Sequence, residues 1–245
     1  MQIGLIGLGI VGGTLKSWLE SRTNHSLRCF DPGKELYQDL AGSDAIFISV
    51  PVPATDYGQD IKTLTQCVEK AKKHTKNVFI RSTVLPGTND FLGTCSMPEF
   101  LTERRAHQDM DALPVLSGTC DKVFLRDVFP GKKLITVTNV EAELAKLAHN
   151  CHGAFKVTFW NMIYQISQKI GADYQEVLRA AALTGFIGTD HTHVPGPDGQ
   201  FGYGGKCFPQ NMEAMEGWLE DIDMQDEAGL FWRVSEMNEQ YRDKE

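Results

Sequence analysis

Short, almost wholly apolar runs alternate with amphipathic stretches over the first half of the chain, and one long amphipathic pattern dominates the second. Residues 1–6 alternate too little for a half-exposed strand and predict a buried parallel strand, a pattern repeated at 27–30, 45–50 and 78–82. Helical periodicity fills 14–20 and about 60–74, and the span between Asp31 and Ala45 has room for one short helix. Residues 113–117, 121–128 and 134–137 read as strand, helix and strand. The succession predicts a parallel sheet flanked by helices, occupying residues 1–138.

Residues 139–245 predict a second, all-α domain. Its first element is a helix over 140–170, about 45 Å long at 1.5 Å per residue, with an apolar stripe at Leu144, Ala148, Cys151, Phe155, Met162 and Ile166. So long a helix predicts a bridge to a second domain or a partner subunit, hence a homodimer. Lys146 and Asn150 lie one turn apart, roughly opposite the stripe, where they read either as a solvated face or as a site. Gly171 ends this helix, Asp173 caps a shorter one through Leu183, a glycine-rich loop follows over 184–205, and helices close the chain at about 210–219 and 227–241.

Four stretches carry candidate chemistry. Strand 1–6 runs into Gly7-Leu8-Gly9-Ile10-Val11-Gly12 and then a helix, the dinucleotide-binding fingerprint in its proper context, so the first domain is of the Rossmann type. Gly7 permits the tight turn, Gly9 admits a pyrophosphate, Gly12 lets helix and strand pack closely, and Ile10 and Val11 open the helix whose N-terminus faces the phosphates. Asp31 ends the second strand, where a carboxylate accepts from the adenosine ribose and repels a 2′-phosphate, so NAD is favoured over NADP. Val50 and Pro51 end a third strand, and Thr83 stands just beyond the fourth, all at the carboxyl edge where open parallel sheets bind ligands. In Pro98-Glu99-Phe100-Leu101-Thr102-Glu103 two carboxylates lie four apart, on one face if helical, which also suits a solvated face. Finally, Gly202-Tyr203-Gly204-Gly205-Lys206-Cys207 delivers a cysteine to the start of a helix, readable as a nucleophile or as a buried thiol in a glycine-rich turn.

Composition narrows the partners. With 42 % hydrophobic and 23 % charged residues and a net charge of -8, the 245-residue chain has no basic cluster suited to nucleic acid or anionic membrane. No apolar run approaches the roughly 20 residues of a membrane span and no cleavable leader pattern opens the sequence, so a cytoplasmic protein is expected. The six cysteines lack paired or metal-ligand spacing, which argues against a disulfide framework or zinc site, and His191 and His193 lack a third ligand, so no metal is expected.

Taken together, the sequence resembles the UDP-glucose/GDP-mannose dehydrogenase family over nearly its whole length. Six ordered blocks carry the likeness: the Gly7 to Gly12 motif, Val50-Pro51-Val52-Pro53, Ser82-Thr83-Val84-Leu85-Pro86-Gly87-Thr88, Pro98 to Glu103, Ala142 to Asn150, and Gly202 to Pro209. The resemblance implies a 6-phosphogluconate-dehydrogenase-like helical domain, NAD as cofactor, and oxidation of a nucleotide-sugar primary alcohol to a carboxylate. It implies Cys207 as the nucleophile of a thiohemiacetal and thioester, Lys146 and Asn150 as oxyanion donors, and Glu103 and Thr83 as groups that position water and substrate. Glu99, Phe100, Leu101, Tyr203, Gly204 and Gly205 then shape the sugar site. Where the family has an acid after the cysteine, this chain has Asn211, an amide that can hold water but cannot take its proton. The likeness further implies a shortened form lacking the family's C-terminal nucleotide-sugar-binding domain. Two other readings stand beside it: a catalytically impaired NAD-binding homologue with a regulatory or assembly role, and a β-hydroxyacid dehydrogenase.

Overall fold

Six strands make the principal sheet, in the order β3-β2-β1-β4-β7-β8. They are β1 (Gln2–Ile6), β2 (Ser26–Asp31), β3 (Leu36–Tyr37), β4 (Ala45–Ile48), β7 (Val78–Ile80) and β8 (Cys95–Ser96), with α1 (Ile10–Arg22) and α2 (Lys62–Lys72) as crossover helices. The small strands β5 (Ala54–Thr55) and β6 (Gly58–Gln59) precede α2. The structure, a computed structural model, describes residues 1–55 and 58–243. Alternation explains why the central strands read as continuously apolar: Phe47 and Phe79 stack in one core, while Ile46, Ile48, Val78 and Ile80 enter another. Each strand is therefore buried on two faces, as a parallel sheet between helices requires.

Every neighbouring pair is parallel except β2 with β3, and here one expectation is corrected. Between Asp31 and Ala45 there is no α-helix; a 3-10 turn at Pro32–Lys34 and a left-handed Glu35 (φ 56°) return the chain as β3. Proline and glycine at 32 and 33 favour that reversal over a helix. Likewise 97–102 is irregular and only Glu103–Arg105 turns, so Glu99 and Glu103 share no helical face. Short helices α3 (Thr88–Leu92) and α4 (Ala106–Ala112) were not legible in the periodicity. A parallel pair, β9 (Val115–Ser117) with β10 (Leu134–Thr136), brackets α5 (Lys122–Val128), whose N-cap Asp121 accepts from the Val123 and Phe124 amides. The argument from cysteine spacing is also corrected: Cys95 and Cys120 are joined as a disulfide, a pairing made in space by β8 and the loop before α5.

Contacts divide the chain into unit one, Met1–Pro53 with Gln59–Leu147, and unit two, Ala54–Gly58 with Ala148–Glu245. Helix α6 (Asn139–Ile170) contributes its opening turns to the first and the remainder to the second. Unit two adds α7 (Tyr174–Ala181), α8 (Cys207–Asp221) and α9 (Gln225–Arg242). No helix among the described residues is long and apolar enough to cross a membrane.

The apolar stripe read from α6 is only in part its buried face. Cys151 is 3 % exposed and Phe155 and Met162 are half-buried, but Leu144 and Ile166 are 41 % and 47 % exposed, whereas Lys146 and Asn150 are each 5 % exposed. The buried side carries Asn139, Glu143, Lys146, Asn150, Thr158, Asn161 and Ser167. Hydrophobicity misleads here because these polar groups are buried with partners, which removes most of the penalty of desolvation. Asn139 donates to Asp90 Oδ1 (2.7 Å) and accepts from the Ser96 amide (2.9 Å). Glu143 accepts from the Gly87 and Asn89 amides and from Asn89 Nδ2, each at 2.7 Å.

Burial pushes the Glu143 carboxyl up from 4.5, against the pull of its donors from Asn89 and Gly87. A raised folded value means that its stabilising contribution is complete below 4.5 and is lost as pH rises through the folded value. Glu143→Ala is expected to lower the unfolding free energy by about 1–3 kcal/mol for each donor left buried and unpaired, measured by urea denaturation. The parent's stability should fall from pH 4.5 upward through the folded titration, and the alanine variant should lack that slope.

Candidate active site

At the start of unit one the chain must turn from β1 into α1 with little room. Gly7 has φ +81°, and a Cβ there would sit 2.4 Å from Ser49 O; one on Gly12 would sit 1.9 Å from Gly7 O. These two positions accept only glycine. Gly9, the N-cap of α1, has nothing within 4 Å of where a Cβ would be, and no side chain caps the helix. That open cradle at an uncapped N-terminus, with no acid in the first turn, fits a pyrophosphate. Ile10 opens α1 and is 49 % exposed, with Val11 half-buried behind it.

Asp31 reaches the same loop. Its Oδ2 accepts from the Leu8 amide at 2.7 Å, and Lys34 Nζ donates to Leu8 O at 2.5 Å, so both backbone groups of Leu8 are held from the end of β2. Lys34 carried no signal in the sequence, because its role depends on the 3-10 turn that folds it back. Val50 is half-buried and Pro51 exposed beyond β4, and half-buried Thr83 follows β7, its carbonyl accepting from Gln59 Nε2 (3.2 Å).

A second cluster in unit one gathers charge. Lys146 Nζ stands 3.5 Å from Glu99 Oε1, with both side chains nearly buried, and lies over the Phe100 ring at 5.3 Å from its centroid. Glu99 Oε2 accepts from the Leu101 amide at 2.5 Å, which turns the loop and aims the carboxylate. Of the two acids in the motif, then, Glu99 meets Lys146, while Glu103 is exposed at the start of its turn. Arg81, which the sequence reading passed over, is buried in the same region; desolvation brings its guanidinium down to about 10, with the Glu99 charge opposing.

Unit two positions the cysteine. Cys207 is the first residue of α8 and is exposed, whereas Cys29 and Cys151 are buried and Cys67 is partly so. Phe208 anchors that helix start on α6: a Cβ on Gly153 would meet the Phe208 ring at 2.5 Å, so only glycine admits it. One turn into α8, Asn211 is 5 % exposed and its Oδ1 accepts from Asn150 Nδ2 at 2.5 Å. Before the cysteine, the Gly202 amide donates to Asn161 Oδ1 (3.0 Å), and Tyr203 exchanges two hydrogen bonds with the Asn238 side chain. The Tyr203 ring is buried, with its hydroxyl 3.3 Å from Ser235 Oγ, while Gly204 is half-buried and Gly205 exposed. Asn161 and Asn238, not anticipated, hold the glycine-rich stretch by its backbone.

The thiols differ in reactivity for physical reasons. Burial pushes Cys151 up to about 12 and raises Cys29 and Cys67, so all three stay protonated near neutrality. Brief treatment of the native protein with iodoacetamide at pH 7.5 is expected to alkylate Cys207 first by at least about tenfold, read by peptide mass spectrometry. Equal labelling of Cys151 would contradict the burial assignment.

Residues 140–240 match the UDP-glucose/GDP-mannose dehydrogenase family, central domain. A UDP-glucose 6-dehydrogenase of Rickettsia typhi is 30 % identical over 207 residues, covering 75 % of this chain and 46 % of its own. Another, of Bacillus subtilis, is 32 % identical over 200 residues, covering 72 % and 44 %. The chain thus spans about half the length of the curated relatives it matches. Among solved structures, a UDP-glucose dehydrogenase from the hyperthermophilic archaeon Pyrobaculum islandicum shares the fold with a TM-score of 0.83 at 22 % identity, over 98 % of this chain and 68 % of that one.

Proposed function

We propose that the chain, whose residues 140–240 match the UDP-glucose/GDP-mannose dehydrogenase family, central domain, takes part in NAD-dependent oxidation of a nucleotide-sugar primary alcohol to a carboxylate. The observation that carries the reading is Cys207, an exposed thiol on the first residue of α8, where the helix dipole favours negative charge. Gly7, Gly9, Ile10, Val11 and Gly12 would hold the pyrophosphate of NAD, Asp31 its adenosine ribose, and Val50, Pro51 and Thr83 the rest of the cofactor edge. NAD when bound supplies the hydride acceptor for both oxidations.

The chain's own groups do the remainder. The Cys207 thiolate would add to the sugar aldehyde carbon, and the resulting thiohemiacetal oxygen carries negative charge that an ammonium or amide N–H can stabilise, the role assigned to Lys146 and Asn150. After the second oxidation, water would cleave the Cys207 thioester and return the thiol. Glu99 is the better candidate than Glu103 for the carboxylate beside Lys146, since Glu103 is exposed and makes no such pair among the described residues. Phe100, Leu101, Gly204 and Gly205 would line the sugar site, with Tyr203 supporting it from within unit two. The exposed Leu144, Ile166 and Ile170 of α6 support a homodimer through that helix.

Purified protein given NAD and a panel of UDP- and GDP-sugars should form NADH. A second reading is favoured by one observation: Asn211 is an amide already engaged by Asn150, so it cannot accept a proton from water. On that reading calorimetry detects NAD binding, no sugar in the panel yields NADH, and Asn211→Asp does not restore turnover.

A further inference from the structure

Near the end of α9, Asn238 is 7 % exposed and uses both ends of its side-chain amide on one residue. Its Oδ1 accepts from the Tyr203 amide at 2.6 Å, and its Nδ2 donates to the Tyr203 carbonyl at 3.0 Å. A side chain at residue 202 would collide with that same Oδ1, so the bare face of Gly202 is what lets Asn238 reach the backbone. One turn on, the Arg242 guanidinium lies against Gly204. From α6, Asn161 accepts from the Gly202 amide at 3.0 Å, so two helices hold two consecutive residues.

The stretch beyond Tyr203 has little order of its own. Gly204 and Gly205 have the most backbone freedom to lose, and Lys206, the N-cap of α8, gives no side-chain hydrogen bond to the helix it starts. Cys207, the first residue of that helix, is therefore placed by what holds its flanks. On one side the Phe208 ring seats on Gly153; on the other the buried Tyr203 ring meets the Phe208 ring edge-on, their centroids 6.2 Å apart. Tyr203 thus joins the Asn238 amide to the residue beside the cysteine. We propose that Asn238 is a positioning residue for Cys207: its two-point hold on Tyr203 fixes the glycine-rich stretch and, through the contact of the Tyr203 and Phe208 rings, the first turn of α8. Its bearing on the reaction rests on the reading of Cys207 as the nucleophile, but its test needs neither cofactor nor sugar.

Cys207 alkylated with bromotrifluoroacetone reports its own surroundings by ¹⁹F NMR. Asn238→Ala is expected to shift or broaden that resonance relative to the parent, and amide exchange over 202–207, read by mass spectrometry, should quicken at least about tenfold as two buried hydrogen bonds are lost. Exchange over 212–221, later in the same helix, should stay within about twofold. Asn238→Asp keeps the acceptor for the Tyr203 amide but sets an oxygen against the Tyr203 carbonyl. It should move both readouts in the same direction, and it carries the test should the alanine variant not fold. An unchanged ¹⁹F resonance, or exchange quickened equally over 202–207 and 212–221, overturns the proposal. Full NADH formation by Cys207→Ala would instead count against the nucleophile, and the two readouts would still decide what places the cysteine.

Discussion

Cys207→Ala is expected to lower NADH formation with any active nucleotide sugar by at least about a thousandfold, corresponding to about 4 kcal/mol of transition-state stabilisation. Oxidation of an aldehyde to the acid level needs an adduct from which hydride can leave, and on the proposed reading the Cys207 thiol forms it. The substitution should be structurally mild. Cys207 is exposed, α8 is anchored by Phe208 on Gly153 and by Asn211 on Asn150, and none of those contacts uses the thiol. NAD affinity should stay within about twofold, since the cradle around Gly9 belongs to unit one. Turnover of 3-hydroxy acids insensitive to this change would instead favour β-hydroxyacid dehydrogenase chemistry, with Lys146 acting without the cysteine.

The second large effect concerns stability. Glu99→Gln removes the carboxylate from Lys146, whose side chain is only 6 % exposed, and leaves an ammonium buried without its counter-ion. Breaking such a pair from one side costs about 3–5 kcal/mol, because the surviving charge keeps its desolvation penalty. For a chain of this size the melting temperature should fall by roughly 10 °C. Glu103→Gln, at an exposed position in the same motif, should change stability by less than about 0.5 kcal/mol. Equal effects at the two positions would remove the reason for preferring Glu99 as the acid of the site.

Much of the architecture was legible because it rests on local rules. The doubly buried strands announced themselves as unbroken apolar runs, Gly7, Gly9 and Gly12 stood in register between strand and helix, and Asp121 and Asp173 cap the helices they precede. The long helix was placed to within one residue at its start and exactly at its end, Asn139–Ile170 against an expected 140–170. What failed did so for two reasons. The Cys95–Cys120 bond and the buried face of α6 depend on partners distant in sequence, so no window of neighbouring residues contains the signal, whereas the hairpin at β3 is local and its Pro32-Gly33 turn signal was passed over in favour of a helix.

For the site itself, the amino-acid sequence by itself determined which chemistry is present: a glycine cradle, an acid at the end of β2, a cysteine at a helix start, and lysine and asparagine one turn apart. Only the tertiary structure decided which of these groups meet. It turned Lys146 and Asn150 from a wet face into a buried one, brought Glu99 rather than Glu103 to Lys146, and tied Asn211 to Asn150. A residue's type sets the charge and hydrogen bonds it can offer, but burial sets their strength and the fold alone supplies their partners.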